Sequence, residues 1–174
     1  GNNFKGKTVK LAYDIDLKDQ EWTPIDGFAG TFDGNGKTIS NLTVTGTKNA
    51  AFFSHVDTTA AIKDVTFDNA NISGNHYVAV VLGYETNNGT NAKIQNVTVK
   101  NSTVTVGTDA NDDNGDKVGG IVGYATTVSI DGCTVENSTI IGYRDVGGII
   151  GYASALSYGE ALAVTNNTVK NVTL

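Results

Sequence analysis

Few residue types here are able to do chemistry. The chain has two histidines, His55 and His76, one cysteine, Cys133, and one arginine, Arg144. Its densest acidic stretch is Asp109-Ala110-Asn111-Asp112-Asp113-Asn114-Gly115-Asp116. Asp109, Asp112, Asp113 and Asp116 offer hard oxygen ligands of the kind calcium takes, with no His or Cys in the loop to favour zinc. The EF-hand pattern fails: with Gly115 at the sixth loop position, Ala110 falls on the first, and no Glu stands at the twelfth. A solvated acidic loop is the simpler reading, because screening over ~8 Å keeps repulsion between exposed carboxylates small. Calcium at these four aspartates is thus the one metal expectation, and no other cofactor is expected.

A second candidate is aromatic. Tyr84, Tyr124 and Tyr152 recur at equivalent places in a repeat, with Tyr77, Tyr143 and Tyr158 nearby in sequence. Aligned tyrosines can form a platform for sugar rings, and they can equally stack on one another. These three are the expected ligand-binding residues. No catalytic set accompanies them. Gly-x-Ser-x-Gly, His-Glu-x-x-His and Walker patterns are missing, and Gly34-Asn35-Gly36-Lys37 reads as a turn between strands because no helix follows it. His55 falls in the tyrosine column and Cys133 in an apolar one, so both read as repeat-position residues.

Charge and composition narrow the partners. Twelve Lys and Arg stand against 18 Asp and Glu, for a net charge of −6 over 174 residues. Nucleic acid and anionic membrane both need a basic face, so neither is expected. No apolar run approaches the ~18 residues of a membrane span. One cysteine excludes an internal disulfide. The 21 glycines, single proline and abundant Thr, Val and Asn point to short strands joined by Gly and Asn turns.

Internal repetition supplies the elements that must position these residues. A glycine-centred block reads Val118-Gly119-Gly120-Ile121-Val122-Gly123-Tyr124-Ala125, Val146-Gly147-Gly148-Ile149-Ile150-Gly151-Tyr152-Ala153, Val78-Ala79-Val80-Val81-Leu82-Gly83-Tyr84 and, more weakly, Asn49 to His55; Phe28 to Gly34 is a distant relative. A second block, apolar-x-x-apolar-Thr-apolar, starts at Ile39, Ile62, Ile94, Ile130 and Val164, with spacings of 23, 32, 36 and 34 residues. Asn69, Asn101, Asn137 and Asn171 follow four of these copies. Constant blocks at variable spacing describe a constant core with insertions at the bends, and period-2 alternation makes the blocks strands. The expected fold is all-β, a right-handed parallel β-helix of about five rungs. Residues 1–46 hold the N-terminal strands and a first degenerate rung, and 47–174 the repeat rungs of one continuous solenoid. Ile39, Ile62, Ile94, Ile130 and Val164 should stack in the core, as should Val65, Val97 and Cys133, with Asn167 breaking that column. Thr43, Thr66, Thr98, Thr134 and Thr168 should form an outward ladder. The Asn positions should form a stacked left-handed turn, and the paired glycines a close approach of rungs.

These residues resemble GLUG-motif repeat proteins. Gly6-Lys7-Thr8-Val9-Lys10-Leu11, Trp22-Thr23-Pro24-Ile25 and Gly30-Thr31-Phe32-Asp33-Gly34-Asn35-Gly36-Lys37-Thr38-Ile39 look like the opening of such regions, and the Gly-Gly-Ile-Val-Gly-Tyr blocks look like the repeat itself. The resemblance covers nearly the whole chain and implies a secreted or cell-surface β-helix of bacteria, of the kind described as candidate adhesins. Similar repeats stand beside the catalytic domain of immunoglobulin A metallopeptidases without being the catalytic part. In such regions a helix-forming segment precedes the Gly-Lys-Thr-Val strand, so this chain looks like a piece of a larger protein. Some β-helices are pectate lyases or polygalacturonases. Here the only adjacent acids are Asp112-Asp113, and the Gly-His-Gly and Arg-x-Lys elements are missing. The expected function is therefore a non-enzymatic surface module. It would present the loops Glu85 to Asn91, Asp109 to Asp116 and Ser154 to Glu160 to a host or bacterial surface protein or glycan. The alternative is a carbohydrate-binding accessory domain of a secreted glycan-active enzyme or protease. Self-association through the C-terminal rung is a further expectation, since an open rung exposes unpaired strand edges.

Overall fold

The computed structural model describes residues 3–46, 48–57, 59–85, 92–107, 117–154 and 162–174. The described residues hold strands and turns and no helix, so none is long and apolar enough to cross a membrane. The first turn carries β1 (Thr8–Lys10) and β2 (Ile15–Asp16). The second carries β3 (Thr31–Ser40), β4 (Thr43–Thr45) and β5 (Phe53–His55). The third carries β6 (Ala61–Asp68), β7 (Asn71–Gly74), β8 (Tyr77–Val78) and β9 (Leu82–Tyr84). The fourth has β10 (Lys93–Gln95), β11 (Thr98–Lys100), β12 (Thr103–Val106), β13 (Lys117–Gly119) and β14 (Val122–Ala125). The fifth has β15 (Ser129–Asp131), β16 (Thr134–Glu136), β17 (Thr139–Ile141), β18 (Asp145–Gly147) and β19 (Ile150–Ala153). β20 (Ala163–Thr165) and β21 (Thr168–Lys170) begin another.

Every strand pairing is parallel and joins one turn to the next. One stack runs β4-β7-β12-β17 and another β5-β9-β14-β19. Four turns thus contribute to both four-stranded sheets, with less complete turns at either side. This is a parallel β-solenoid. Successive residues of a strand point to opposite faces, so each turn sends alternate residues inward onto the turn below. The inward columns are Ile62–Ile94–Ile130, Phe67–Val99–Val135, Ile72–Val104–Ile140 and Phe53–Leu82–Val122, all buried. The aromatic rings gather near the N-terminal turns, where Phe52 and Phe53 pack against Phe28, Phe32 and Phe67.

The first copy of the second block takes a different register from the one its spelling suggests. Phe32 pairs with Ile62, Thr38 with Thr66 and Ile39 with Phe67, while Thr43 pairs with Asn71. Phe32, not Ile39, therefore joins the Ile62–Ile94–Ile130–Val164 column, and Thr38, not Thr43, joins the ladder Thr66–Thr98–Thr134–Thr168. The cause is Gly34-Asn35-Gly36, which forms a bulge inside the continuous strand β3 and not a turn between strands. Asn35 (φ 54°) and Gly36 (φ 69°) lie in the left-handed region, and Asn35 N–H closes on Asp33 Oδ1 at 2.8 Å. Nor does Phe28 to Gly34 stand in for the glycine block: Ile25 bridges to Phe53 and Phe28 to Val56.

The asparagine turns adopt the expected form and begin one turn earlier. Asn41, Asn69, Asn101, Asn137 and Asn171 all have φ between 49° and 58°. Their amides reach the turn below: Asn69 Nδ2 to Asn41 Oδ1 (2.8 Å), Asn101 Nδ2 to Asp68 Oδ1 (2.8 Å) and Asn171 Nδ2 to Asn137 Oδ1 (3.1 Å). Asn tolerates this backbone and satisfies its own side chain by stacking. Asn167 continues the Cys133 column in a different chemistry. Val97 N–H approaches Cys133 Sγ at 3.5 Å, and Cys133 N–H donates to Asn167 Oδ1 at 2.8 Å. Each side chain thus accepts from the backbone of the preceding turn. The glycine pair answers to close approach: a Cβ on Gly119 would lie 2.0 Å from Val122 O, and one on Gly120 2.3 Å from Gly148 O.

Candidate functional site

The tyrosine column forms on the outward face of the β5-β9-β14-β19 sheet. Register places His55, Tyr84, Tyr124 and Tyr152 one above another. Tyr124 lies 5.3 Å from Tyr84 and 5.5 Å from Tyr152, centroid to centroid, with ring planes within 19° and 7°. His55 continues the column at 6.1 Å from Tyr84. These are stacked contacts, so the faces of the inner rings are turned to their neighbours and the ring edges toward solvent. Tyr84 and Tyr124 are half-buried and Tyr152 is exposed. Burial pushes the Tyr124 hydroxyl above its ordinary range, and a hydrogen bond with Ser154 opposes that.

Two neighbours join the column that sequence spacing did not single out as a set. Tyr77, on β8, stacks at 4.8 Å on Tyr84 and lies 5.3 Å from Tyr124. Lys117, paired with Tyr77 across β13 and β8, places Nζ 5.6 Å from the Tyr77 ring and 5.1 Å from the Tyr152 ring. The column is therefore a cation–π cluster as well as an aromatic stack. The signal was available in the repeat: aligning Val78 with Val118 puts Tyr77 beside Lys117. Tyr143 stands exposed between β17 and β18, and Tyr158 lies outside the described residues. The proposed calcium ligands Asp109, Asp112, Asp113 and Asp116 also lie outside the described residues. Among the described residues no group of three His, Cys, Asp or Glu side chains is placed to hold a metal ion.

Beside the column sits a residue that the sequence reading placed on a presented loop. Glu85 is fully buried. It follows Tyr84 as Ala125 follows Tyr124, and both Glu85 and Ala125 are buried. Its carboxylate accepts Thr126 N–H (2.9 Å), Thr127 N–H (3.0 Å), Thr127 Oγ1 (2.9 Å) and Thr126 Oγ1 (3.3 Å). Four donors around one carboxylate are what a buried charge requires. Glu85 ties the start of the 86–91 segment to the corner of the turn above it.

On the sheet that contains β3, β6 and β11 the outward residues are charged. Lys63 bridges Asp33 at 3.2 Å and Asp64 at 3.0 Å, and Lys100 bridges Asp68 at 3.3 Å. A backbone N–H from Asn35 holds the Asp33 carboxyl below its usual range, and the Asn96 amide does the same for Asp64. Buried Cys133 has its thiol pushed up to about 11 by desolvation, which leaves it an unreactive core residue. The Asn-x-Thr triplets are part of the turn ladder: the amide nitrogens of Asn41, Asn101 and Asn171 are each engaged with the turn below.

Comparison with known proteins fits this architecture. Halomucin of Haloquadratum walsbyi (strain DSM 16790 / HBSQ001) is 38% identical over 107 residues, which is 60% of this chain. The match spans about 1% of the length of that relative. Its source is an archaeon, so such repeats are not confined to bacteria. A solved structure of a candidate immunoglobulin A1 protease from Bacteroides ovatus superposes with a TM-score of 0.60 at 16% identity, over 97% of this chain and 68% of that one. At that identity the likeness is one of fold. Residues 117–141, from Lys117 through the Tyr124 strand to the end of β17, match the GLUG motif, and the chain is accordingly a parallel β-solenoid that carries a GLUG motif.

Proposed function

We propose that this chain is a non-catalytic module of a secreted or cell-surface protein, an adhesive β-helix that engages a host or microbial surface protein or glycan along one side of the rod. The observation that carries this reading is the column Tyr77–Tyr84–Tyr124–Tyr152 with Lys117 against two of its rings. It runs along the solenoid axis, with ring edges, hydroxyls and one cation outward. It also lies where three variable segments are anchored, since 86–91 follows Glu85, 108–116 precedes Lys117 and 155–161 follows Ser154. A rigid scaffold with variable segments beside an aromatic strip is the arrangement surface recognition uses. The name of the Haloquadratum walsbyi relative supports a surface setting.

A second reading, a carbohydrate-binding accessory module of a secreted glycan-active enzyme or protease, draws on the same tyrosines, because amphipathic aromatic edges and hydroxyls suit sugars. Glycan-array binding and retention on cell surfaces, run in parallel on the wild type and Tyr124→Ala, test both. Selective sugar binding without retention on cells, lost in the variant, favours the second reading. Retention on cells without a sugar match, again lost in the variant, favours the first. Binding that is indifferent to Tyr124 refutes a role for the column.

A further inference from the structure

The aromatic column meets a glycine in the first turn. Ile25 bridges to Phe53 and Phe28 to Val56, so Asp26 and Gly27 lie against Ser54 and His55. Ser54 N–H donates to Ile25 O at 2.9 Å, and Ser54 Oγ to Asp26 Oδ1 at 2.9 Å, in keeping with that register. The column therefore reads Gly27, His55, Tyr84, Tyr124, Tyr152, one residue per turn. Every member but Gly27 carries a ring. Gly27 has a φ of 64°, and among the described residues no atom lies within 4 Å of the position a Cβ would take there. The place beside His55 is thus open because the residue that holds it has no side chain.

The surroundings of that place are polar and unspent. His55 is half-buried, with Tyr84 on one side at 6.1 Å and tilted by 35°. Among the described residues its imidazole nitrogens have no hydrogen-bond partner. A half-buried imidazole in that state leaves one donor and one acceptor for water or a ligand. Asp26 is exposed, and among the described residues its carboxylate receives the Ser54 hydroxyl alone, so lone pairs remain for donors from outside.

We propose that the place over Gly27 binds one neutral pyranose unit of a glycan, set against the His55 ring with its hydroxyls on Asp26 and the imidazole. Turns repeat at ~4.8 Å, and successive rings of the column stand 6.1, 5.3 and 5.5 Å apart, so one more ring-shaped group continues the series. A pyranose has C–H bonds on its face and hydroxyls around its rim. The first suit an aromatic ring, and the second suit a carboxylate and an imidazole. Asp26 disfavours an acidic sugar by like charge. An aromatic side chain from a protein would stack there but leave the carboxylate and the imidazole nitrogens without donors and acceptors. The proposal rests on the reading that this side of the rod meets glycans, and it assigns residues which that reading does not use.

NMR of the imidazole protons tests it, on titration with the methyl glycosides of glucose, galactose, mannose and N-acetylglucosamine, and with methyl glucuronide as the acidic control. His55 and His76 are the only histidines, so His76 serves as the internal reference. At least one neutral glycoside is expected to shift the His55 signals and leave those of His76 in place, and the glucuronide to bind more weakly. Gly27→Asn keeps a left-handed backbone and fills the place, so it should weaken binding by roughly tenfold or more. His55→Ala should lose as much, while His55→Tyr should retain binding because a ring remains. Melting curves identify a variant that fails to fold, and the wild-type titration is read without either variant. On a glycan array, binding lost in Gly27→Asn and kept in Tyr124→Ala supports this site. Binding lost in Tyr124→Ala and kept in Gly27→Asn overturns it and leaves the tyrosine reading intact. No shift of His55 with any neutral glycoside also overturns it, and retention on cells then decides whether the adhesive reading survives.

Discussion

Replacing Glu85 by Ala removes the acceptor for four hydrogen bonds in a site without solvent access. Two opposing effects decide the outcome. The backbone N–H groups of Thr126 and Thr127 lose their acceptor inside the fold, at ~1–3 kcal/mol each. The threonine hydroxyls can rotate to other acceptors, so they add little. Against this, the chain no longer has to desolvate a carboxylate, a penalty of several kcal/mol for an isolated ion that four donors already largely offset. Alanine suits the backbone there, since Ala125 occupies the same column one turn on. The stranded N–H groups should therefore dominate, for a net loss of about 2–4 kcal/mol. In a chain of this size that is a fall of roughly 5–12 °C in Tm. Glu85→Gln keeps the volume and one carbonyl oxygen but turns an NH2 toward donors, so it should lose about half as much. Thermal and urea unfolding followed by circular dichroism provide the measurement. If Glu85→Ala is as stable as the wild type or more so, desolvation outweighs the hydrogen bonds and Glu85 does not anchor the corner.

Ile130→Ala opens a cavity at a fully buried position stacked on Ile94 and should destabilise by roughly 2–5 kcal/mol, read as a lower urea midpoint. An unchanged midpoint would mean that the column does not bear on stability. Acid should weaken the charged face. Asp33, Asp64 and Asp131 have folded pKa values below the ordinary 3.8, so their contribution is present above that pH and is lost as pH falls through the folded values. Tm is expected to be level toward neutrality and to drop below about pH 4, and a Tm that holds to strongly acid pH would show that these carboxylates carry no stability. For the segment with Asp109, Asp112, Asp113 and Asp116, a calcium site predicts a higher Tm in millimolar calcium than in EDTA by mass action, and identical curves would leave a solvated acidic loop.

The stacked columns were legible in the sequence because a solenoid repeats its environment. Ile62, Ile94 and Ile130 recur since each sits on the last, and each Asn of the turn recurs since its backbone needs a positive φ that Asn tolerates. The tyrosine column followed from the same periodicity, and its spelling beside Gly83, Gly123 and Gly151 placed it correctly. What spelling alone misjudged was wherever one residue type can serve two environments. Thr38 and Thr43 both begin a Thr-apolar pair, and only the bulge at Gly34-Asn35-Gly36 decides which joins the ladder. Asn167 looked like a break in an apolar column because its type is polar, yet a side-chain oxygen meets the same backbone N–H that a sulfur meets one turn below. Glu85 reads as part of a presented loop, and nothing in its spacing singles out Lys117. Contacts with Thr126, Thr127 and the rings of Tyr77 and Tyr152 decide both. Periodicity determines which residues share a column, because identical turns stack in register. Whether a polar residue in that column is buried and satisfied depends on partners a turn away, some 40 residues along the chain for Glu85, and only the folded structure brings them together.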